Sequence, residues 1–310
     1  MTTQTNLGQV TTRNYRGVTI HTYKSPEEEL YVTSQIVETD NGLVVFDAVF
    51  HIKHAEDLAD YIAGLGKPVN RIGLSHIHPD HWSGLSVLHQ RFPQAPIYAL
   101  PEIISYTREN GQKILDARNE AFGNIVAKTP TDHDLAMGAE TIGGVRFEFE
   151  RQPDGEIDWQ TIVRLPDAGV VMAFDLVFPA EHHLFTVANH FDHWIEILQA
   201  LKGDAAKGYD ILMVGHGSPV SFDVIDSNIA YLHRTQEIHA ANSNAESYAE
   251  ALKGAYPSYY GGTGSISPAS CSTGLLTRKK LSHALRRSAD ILRSPFAITV
   301  YSRSAYLLSA

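Results

Sequence analysis

The sequence predicts an α/β protein built as two β-sheets packed face to face with helices on the outside. Three observations carry this. Short apolar runs over 43–46, Val170–Phe174 and Ile211–Val214 are bounded by turn residues and read as buried strands. Amphipathic helical stretches alternate with them. The alternation comes as two similar runs, which two sheets with outer helices accommodate.

The elements follow in order. Residues 1–16 are polar and lack the apolar core of a secretory signal. Residues 17–23 and 30–38 read as strands, and Asn41-Gly42 is a hairpin turn signal before the strand 43–46, which ends on Asp47. Leu58, Ile62 and Leu65 share one face of a helix over 53–65. A short buried strand over 71–75 precedes a helix over 80–92, with Trp82, Leu85, Leu88 and Phe92 on one face. Residues 97–99 form a short strand, and Pro101 opens the next helix. The polar, partly helical stretch 111–134 is read as a cover over a site. Residues 145–150 alternate like an antiparallel strand. Strands 161–165 and Val170–Phe174 flank a turn over 166–169, and an amphipathic helix spans 191–201. After the strand Ile211–Val214 come a long helix over 222–239 and a second around 245–252.

Composition narrows the function. The chain has 310 residues and a net charge of −10, which argues against a broad nucleic-acid-binding face. Its length allows one large domain or two small ones, with a core independent of disulfides. The lone Cys271 cannot form an internal disulfide, so a reducing compartment fits. No apolar run approaches the roughly 20 residues needed to span a bilayer. The expectation is a soluble, cytoplasmic protein acting on a small-molecule substrate, with no nucleic-acid or membrane partner. Residues 1–260 form the expected catalytic domain. Residues 261–310 are Ser-rich and basic, with net charge +6 against −16 before them. They read as a C-terminal extension packed on the acidic body, with a homo-oligomeric contact as one role, or as foreign sequence. No chemistry is assigned to them.

The chemistry concentrates in Ser75-His76-Ile77-His78-Pro79-Asp80-His81-Trp82-Ser83-Gly84. Neutral imidazoles and carboxylates are the ligands of Zn, Fe and Mn sites. In an extended loop, residues two apart point the same way, so His76 and His78 can grip one ion. Asp80 and His81 are adjacent, diverge, and can reach a second ion. Asp175 and His216 end two later apolar strands. A buried aspartate in the first position is costly unless paired or coordinated, and the glycines flanking His216 allow close approach. In the turn 152–159, Glu156 is the best ligand candidate, with Asp154 and Asp158 as rivals. His182, His183, His190 and His193 read as surface or supporting histidines. Asp47 is placed to orient a ligand by hydrogen bonding.

With these motifs in order, the chain resembles the metallo-β-lactamase-fold superfamily of metallohydrolases over roughly residues 17–252. The resemblance implies an αββα sandwich of two mixed sheets with a binuclear centre at one edge. It places His76 and His78 on the first metal, and Asp80, His81 and His216 on the second, with Asp175 bridging. It also implies a metal-activated hydroxide acting on a small ester, lactone, amide or sulfate ester, with Asp80 as ligand and proton acceptor. The family's usual Gly-His-Thr-like turn is replaced here by Gly155-Glu156. Alkylsulfatase members also carry glutamate there. The expected cofactors are two divalent ions, Zn first, with Mn or Fe admitted by the harder carboxylate. An iron oxidoreductase of the same fold and a non-catalytic metal-binding member are the alternatives.

Overall fold

The computed structural model describes residues 1–122, 133–186, 188, 190–242 and 245–260. The first sheet has eight strands in sequential order: β1 (Thr2–Gln4), β2 (Gln9–Tyr15), β3 (Val18–Lys24), β4 (Thr33–Thr39), β5 (Gly42–Phe46), β6 (Val69–Gly73), β7 (Ile97–Ala99) and β8 (His133–Asp134). Strands β1 to β5 form an antiparallel meander, and β5 to β8 are parallel. The second sheet contains β9 (Gly138–Ile142), β10 (Val145–Pro153), β11 (Trp159–Leu165), β12 (Val170–Phe174) and β13 (Ile211–Val214), in the order β13-β12-β11-β10-β9. Only its β12–β13 pair is parallel. Both sheets are therefore mixed, as expected.

Side-chain parity shows how the layers stack. Val44 and Phe46 of β5 join Val18, Ile20 and Val37 in a core that also contains Phe147, Phe149, Val170, Met172 and Phe174. That core lies between the sheets. Leu43 and Val45, one residue out of step on β5, enter a second core with helix α1 (Ile52–Gly64). Val171 and Ala173 of β12 likewise turn to a third core with helix α5 (Phe191–Lys202). Period-two alternation thus sends each apolar strand into two cores at once. This is why these strands read as continuous apolar runs. Burying each large aliphatic side chain contributes roughly 1.5–3 kcal/mol, so a one-residue register slip would exchange the contents of two cores.

The outer helices complete an αββα sandwich. Between α1 and α5 come α2 (Pro79–Trp82), α3 (Leu85–Arg91) and α4 (Pro101–Phe122), and α6 (Val224–Ala241) and α7 (Ala245–Ala255) follow. The single helix expected over 80–92 is split. The Gly84 N–H bonds the Val49 carbonyl at 3.1 Å instead of continuing the helical ladder. A Cβ on Gly84 would lie 2.0 Å from the Ala48 carbonyl, so only glycine admits this approach. The strand expected from residue 30 begins at Thr33, because Leu30 and Tyr31 are left-handed (φ 59° and 56°). The stretch read as a polar cover is the end of α4 through Phe122 and β8, with 123–132 outside the described residues. Strands β1, β2 and β9 had no sequence signal. The tail 261–310 and its assignment lie outside the described residues. No described helix is long and apolar enough to cross a membrane.

Candidate metal centre

Five chain segments reach one edge where the sheets meet. Parallel strands β5, β6, β12 and β13 end there in Asp47, the His76 loop, Asp175 and His216. The β10–β11 turn brings Glu156. Antiparallel bridges His76–Gln160 and Val32–His216 fasten the segments together, and the Thr161 N–H bonds the Ser75 carbonyl at 2.8 Å. Asp47 and Phe174 are left-handed at their strand ends (φ 64° and 48°), an uncommon conformation that aims the following residues.

All seven candidate residues converge. His76, His78, Glu156 and Asp175 form one group whose ligand atoms lie within 4.8 Å of one another, and Asp80, His81 and His216 form a second. Asp175 sits between them. Its Oδ1 is 3.3 Å from His81 Nε2, and its Oδ2 is 3.3 Å from His216 Nε2 and 3.6 Å from His76 Nε2. Asp80 Oδ2 lies 3.3 Å from His216 Nε2, and His78 Nδ1 lies 3.3 Å from Glu156 Oε2. His76, His81, Asp175 and His216 are fully buried. His78 and Asp80 keep 12% and 15% of their side chains exposed, so solvent reaches the centre on their side.

The surrounding hydrogen bonds determine which ring nitrogens are free. His81 Nδ1 donates to Asp47 Oδ2 at 2.9 Å, and His216 Nδ1 donates to the Leu30 carbonyl at 2.7 Å. The Ser75 hydroxyl donates to Asp47 Oδ2 at 2.7 Å and accepts from His76 Nδ1 at 2.8 Å. With each Nδ1 directed outward, the Nε2 atoms of His76, His81 and His216 are the ones turned toward the centre. One carboxylate, Asp47, orients imidazoles in both groups. The signal for Asp47 was its place at the end of a buried strand. Ser75 and the Leu30 carbonyl were missed: a hydroxyl before the motif is a weak cue, and a backbone carbonyl leaves no trace in sequence.

Electrostatics show a centre that demands positive charge. Burial alone would lower His216, yet Asp175 and Asp80 raise it to about 9. Burial opposes the charged form of His81 as well, but Asp175, Asp47 and Asp80 raise it well above the usual histidine range. Asp175 is held far below the usual carboxylate range by His81, His216 and His76, against its burial. His76 stays neutral because burial, then His81, lower it. Its Nε2 and both Asp175 oxygens are buried without a hydrogen-bond partner. Imidazole lone pairs, carboxylates and these unpartnered atoms fit two divalent cations.

The rivals of Glu156 turn away. Asp158 pairs with His190 at 2.9 Å, and Asp154 lies 3.8 Å from the same ring, in an exposed cluster. The Gln160 side-chain carbonyl accepts the Ile157 and Glu156 N–H groups at 2.9 and 3.1 Å, which turns Glu156 inward. Gly215 is also part of the construction, since a Cβ there would lie 1.7 Å from Asp175 Oδ1. The expectation of surface or supporting positions for His182 and His183 is corrected in part, because both are buried. His182 lies 5.8 Å from the His216 ring and packs on Phe178, Phe185 and Tyr260, and burial followed by His216 lowers it to about 3. His183 bonds the Tyr231 hydroxyl at 2.8 Å. His193 reaches the Asp154 carbonyl at 3.2 Å and does not enter the centre.

Comparison with known proteins agrees with this fold. A relative, the uncharacterized protein YobT of Bacillus subtilis (strain 168), is 29% identical over 117 residues, covering 37% of this chain and 49% of that protein. The match thus spans about half the length of that relative. The fold is similar to a metallo-β-lactamase from Pontibacter korlensis, with TM-score 0.55, 18% identity, and 75% of this chain and 98% of that one covered. It is also similar to the metallo-β-lactamase FIM-1 from Pseudomonas aeruginosa in its mono-zinc form, with TM-score 0.56, 18% identity, and coverage of 73% and 96%. A metallo-β-lactamase family protein from Thermus thermophilus gives TM-score 0.56, 19% identity, and coverage of 72% and 83%. The family model described as the metallo-β-lactamase superfamily matches residues 28–216, from the turn behind His216 to His216 itself. The chain belongs to the metallo-β-lactamase superfamily, whose members are usually hydrolytic metalloenzymes.

Proposed function

We propose that this chain is a binuclear metal-dependent hydrolase of a small ester, lactone, amide or sulfate ester. His76, His78, Glu156 and Asp175 hold one divalent cation, and Asp80, His81 and His216, with Asp175 shared, hold the other. The observation that carries the reading is the position of Asp175, within 3.6 Å of imidazole nitrogens from both groups. When bound, the cations polarise a substrate oxygen and supply an activated water. The chain's own residues do the rest. Asp47, Ser75 and the Leu30 carbonyl orient the imidazoles. The buried walls exclude bulk water, and the partly exposed Asp80 carboxylate is placed to accept a proton at Oδ1 or Oδ2. Zinc is the first choice of metal, supported by the mono-zinc form of FIM-1. Glu156 adds a hard oxygen ligand and keeps Mn and Fe in contention.

That same set of two histidines and two carboxylates also favours a second reading, an iron oxidoreductase. The net charge of −10 supports a small-molecule substrate over nucleic acid, and the lone cysteine supports a reducing, cytoplasmic location. The test is metal analysis of protein purified without added metal, followed by an ester, lactone, amide and sulfate panel with oxygen consumption in parallel. Two divalent ions and hydrolysis support the proposal. Iron with substrate-dependent oxygen uptake replaces it with the redox reading, and bound metal with no turnover replaces it with a binding role.

A further inference from the structure

We infer that the pair formed by buried Glu29 and half-buried His51 is a positioning element for the second cation group, acting on His216 through the Leu30 carbonyl. The inference rests on reading Asp80, His81 and His216 as cation ligands. Glu29 is 1% exposed, a place where a carboxylate is costly without partners. Its Oε2 accepts the His51 backbone N–H at 3.2 Å, its Oε1 pairs with His51 Nδ1, and His54 Nε2 lies 3.6 Å from that oxygen. Both histidines belong to the start of α1, where His51 is the N-cap. Leu58 and Ile62 anchor that helix in the outer core. Glu29 therefore ties a short turn, Glu27–Glu29, to a rigid element.

The next two residues show what the tie is for. Leu30 and Tyr31 are both left-handed, a conformation costly for side chains of their size. It persists only where the surroundings enforce it. Backbone bonds from Leu30 to Glu27 and from Tyr31 to Pro26 close the turn. The Glu29 carboxylate links the closed turn to α1. The result is a carbonyl ladder against the His216 segment: Leu30 accepts His216 Nδ1–H at 2.7 Å, Tyr31 accepts the Gly217 N–H at 2.8 Å, and Gly215 accepts the Thr33 N–H at 2.8 Å. The Leu30 carbonyl holds the His216 Nδ1 proton and so turns Nε2 toward Asp175. His76 and His81 take their orientation from Asp47 and Ser75. Loosening Glu29 thus disturbs the second group and spares the first.

The experiment titrates the metal-free full chain with cobalt(II), followed by visible absorption and metal analysis. Wild type takes up two ions in two phases, and the phase that Asp80→Ala removes is taken as that of the second group. Glu29→Gln and His51→Asn each weaken the second phase by about 10- to 100-fold, the usual range for residues supporting a ligand, and leave the first within about 2-fold. A second measurement uses wild type alone. By reciprocity of coupling, filling the second site slows hydrogen exchange at the His51 and Gly217 amides. An unchanged second phase in Glu29→Gln, equal weakening of both phases, or unaltered His51 exchange overturns the inference. If the variants fail to fold, the wild-type exchange result decides alone. Uptake of one ion or none by wild type instead overturns the underlying two-cation reading.

Discussion

His81 and His216 turn their Nε2 atoms toward each other at 3.3 Å. Each ring has already committed its Nδ1 proton, one to Asp47 and one to the Leu30 carbonyl. Two lone pairs at that distance repel unless a positive charge lies between them, supplied by a proton in the metal-free chain or by a bound cation. Two nitrogens bound about 2.0–2.1 Å from one tetrahedral ion are separated by about 3.4 Å, so the observed spacing fits the ligand pair proposed above.

Metal removal should therefore destabilise the fold as well as stop turnover. Two ions that bind the folded chain and not the unfolded one stabilise it by mass action, by about 2.7 kcal/mol for a site filled at a hundred times its dissociation constant. Thermal unfolding before and after chelation checks this, with cation add-back as control. An identical midpoint in both states would count against two structural cations.

His78→Ala and Asp80→Ala should abolish turnover, by a factor of about 1,000 or more, while leaving the fold largely intact. Both side chains lie at the solvent side of the centre and neither belongs to an apolar core. Steady-state kinetics and circular dichroism together decide. Full activity of metal-stripped Asp80→Ala would rule out its assigned role.

Glu156→His should shift selectivity from manganese toward zinc by about 10-fold or more, since it replaces a hard oxygen ligand with a borderline nitrogen. Competitive binding of the two ions measures the ratio. An unchanged ratio would remove Glu156 from the ligand set and leave it as a neighbour of His78.

The legible parts were those with a periodic or spacing signal. The His76–His81 motif, Asp175 and His216 could be read directly, because each follows an apolar strand. The turn around Glu156 could not be resolved, because three acids in five residues look alike until Gln160 fixes which one faces inward. His182 and His183 follow no apolar repeat, and their burial depends on Tyr231 and Tyr260, far along the chain. Strand β1 is polar and exposed at the sheet's edge, and β2 beside it buries only Val10, so alternation is weak in both. The break at Gly84 depends on the Val49 carbonyl, which no local pattern announces.

Gly215→Ala should cost cation binding more than stability. The added Cβ would lie 1.7 Å from Asp175 Oδ1, so the carboxylate must move out of its position between the two groups. A misplacement of about 1 Å in a ligand shell loosens both ions at once. Metal content after dialysis should fall at both sites, with the metal-free midpoint nearly unchanged. Retention of two tightly bound ions would show that Asp175 is not shared.

Asp57 gives a prediction in pH. Burial alone would raise its pKa, but donors from Thr5, Tyr23 and the Leu7 and Asn6 backbone outweigh that and hold it below the ordinary value. The Asn6, Leu7 and Gly8 N–H groups lie 3.0, 3.2 and 3.1 Å from its oxygens and the Tyr23 hydroxyl 2.9 Å, so this one carboxylate ties the β1–β2 turn to α1. A carboxylate whose folded pKa is depressed stabilises the fold above its unfolded pKa, about 3.9, and loses that contribution as pH falls through the folded value. Asp57→Asn should then cost about 1.5–3 kcal/mol at neutral pH, the range for hydrogen bonds to a charged group. The deficit should begin to shrink as pH drops below about 4, where the unfolded-state carboxylate takes up its proton, and vanish only below the depressed folded value. Denaturant unfolding of both proteins in the same metal state, from pH 7 to pH 3, measures it. A deficit independent of pH would mean that Asp57 acts through packing rather than charge.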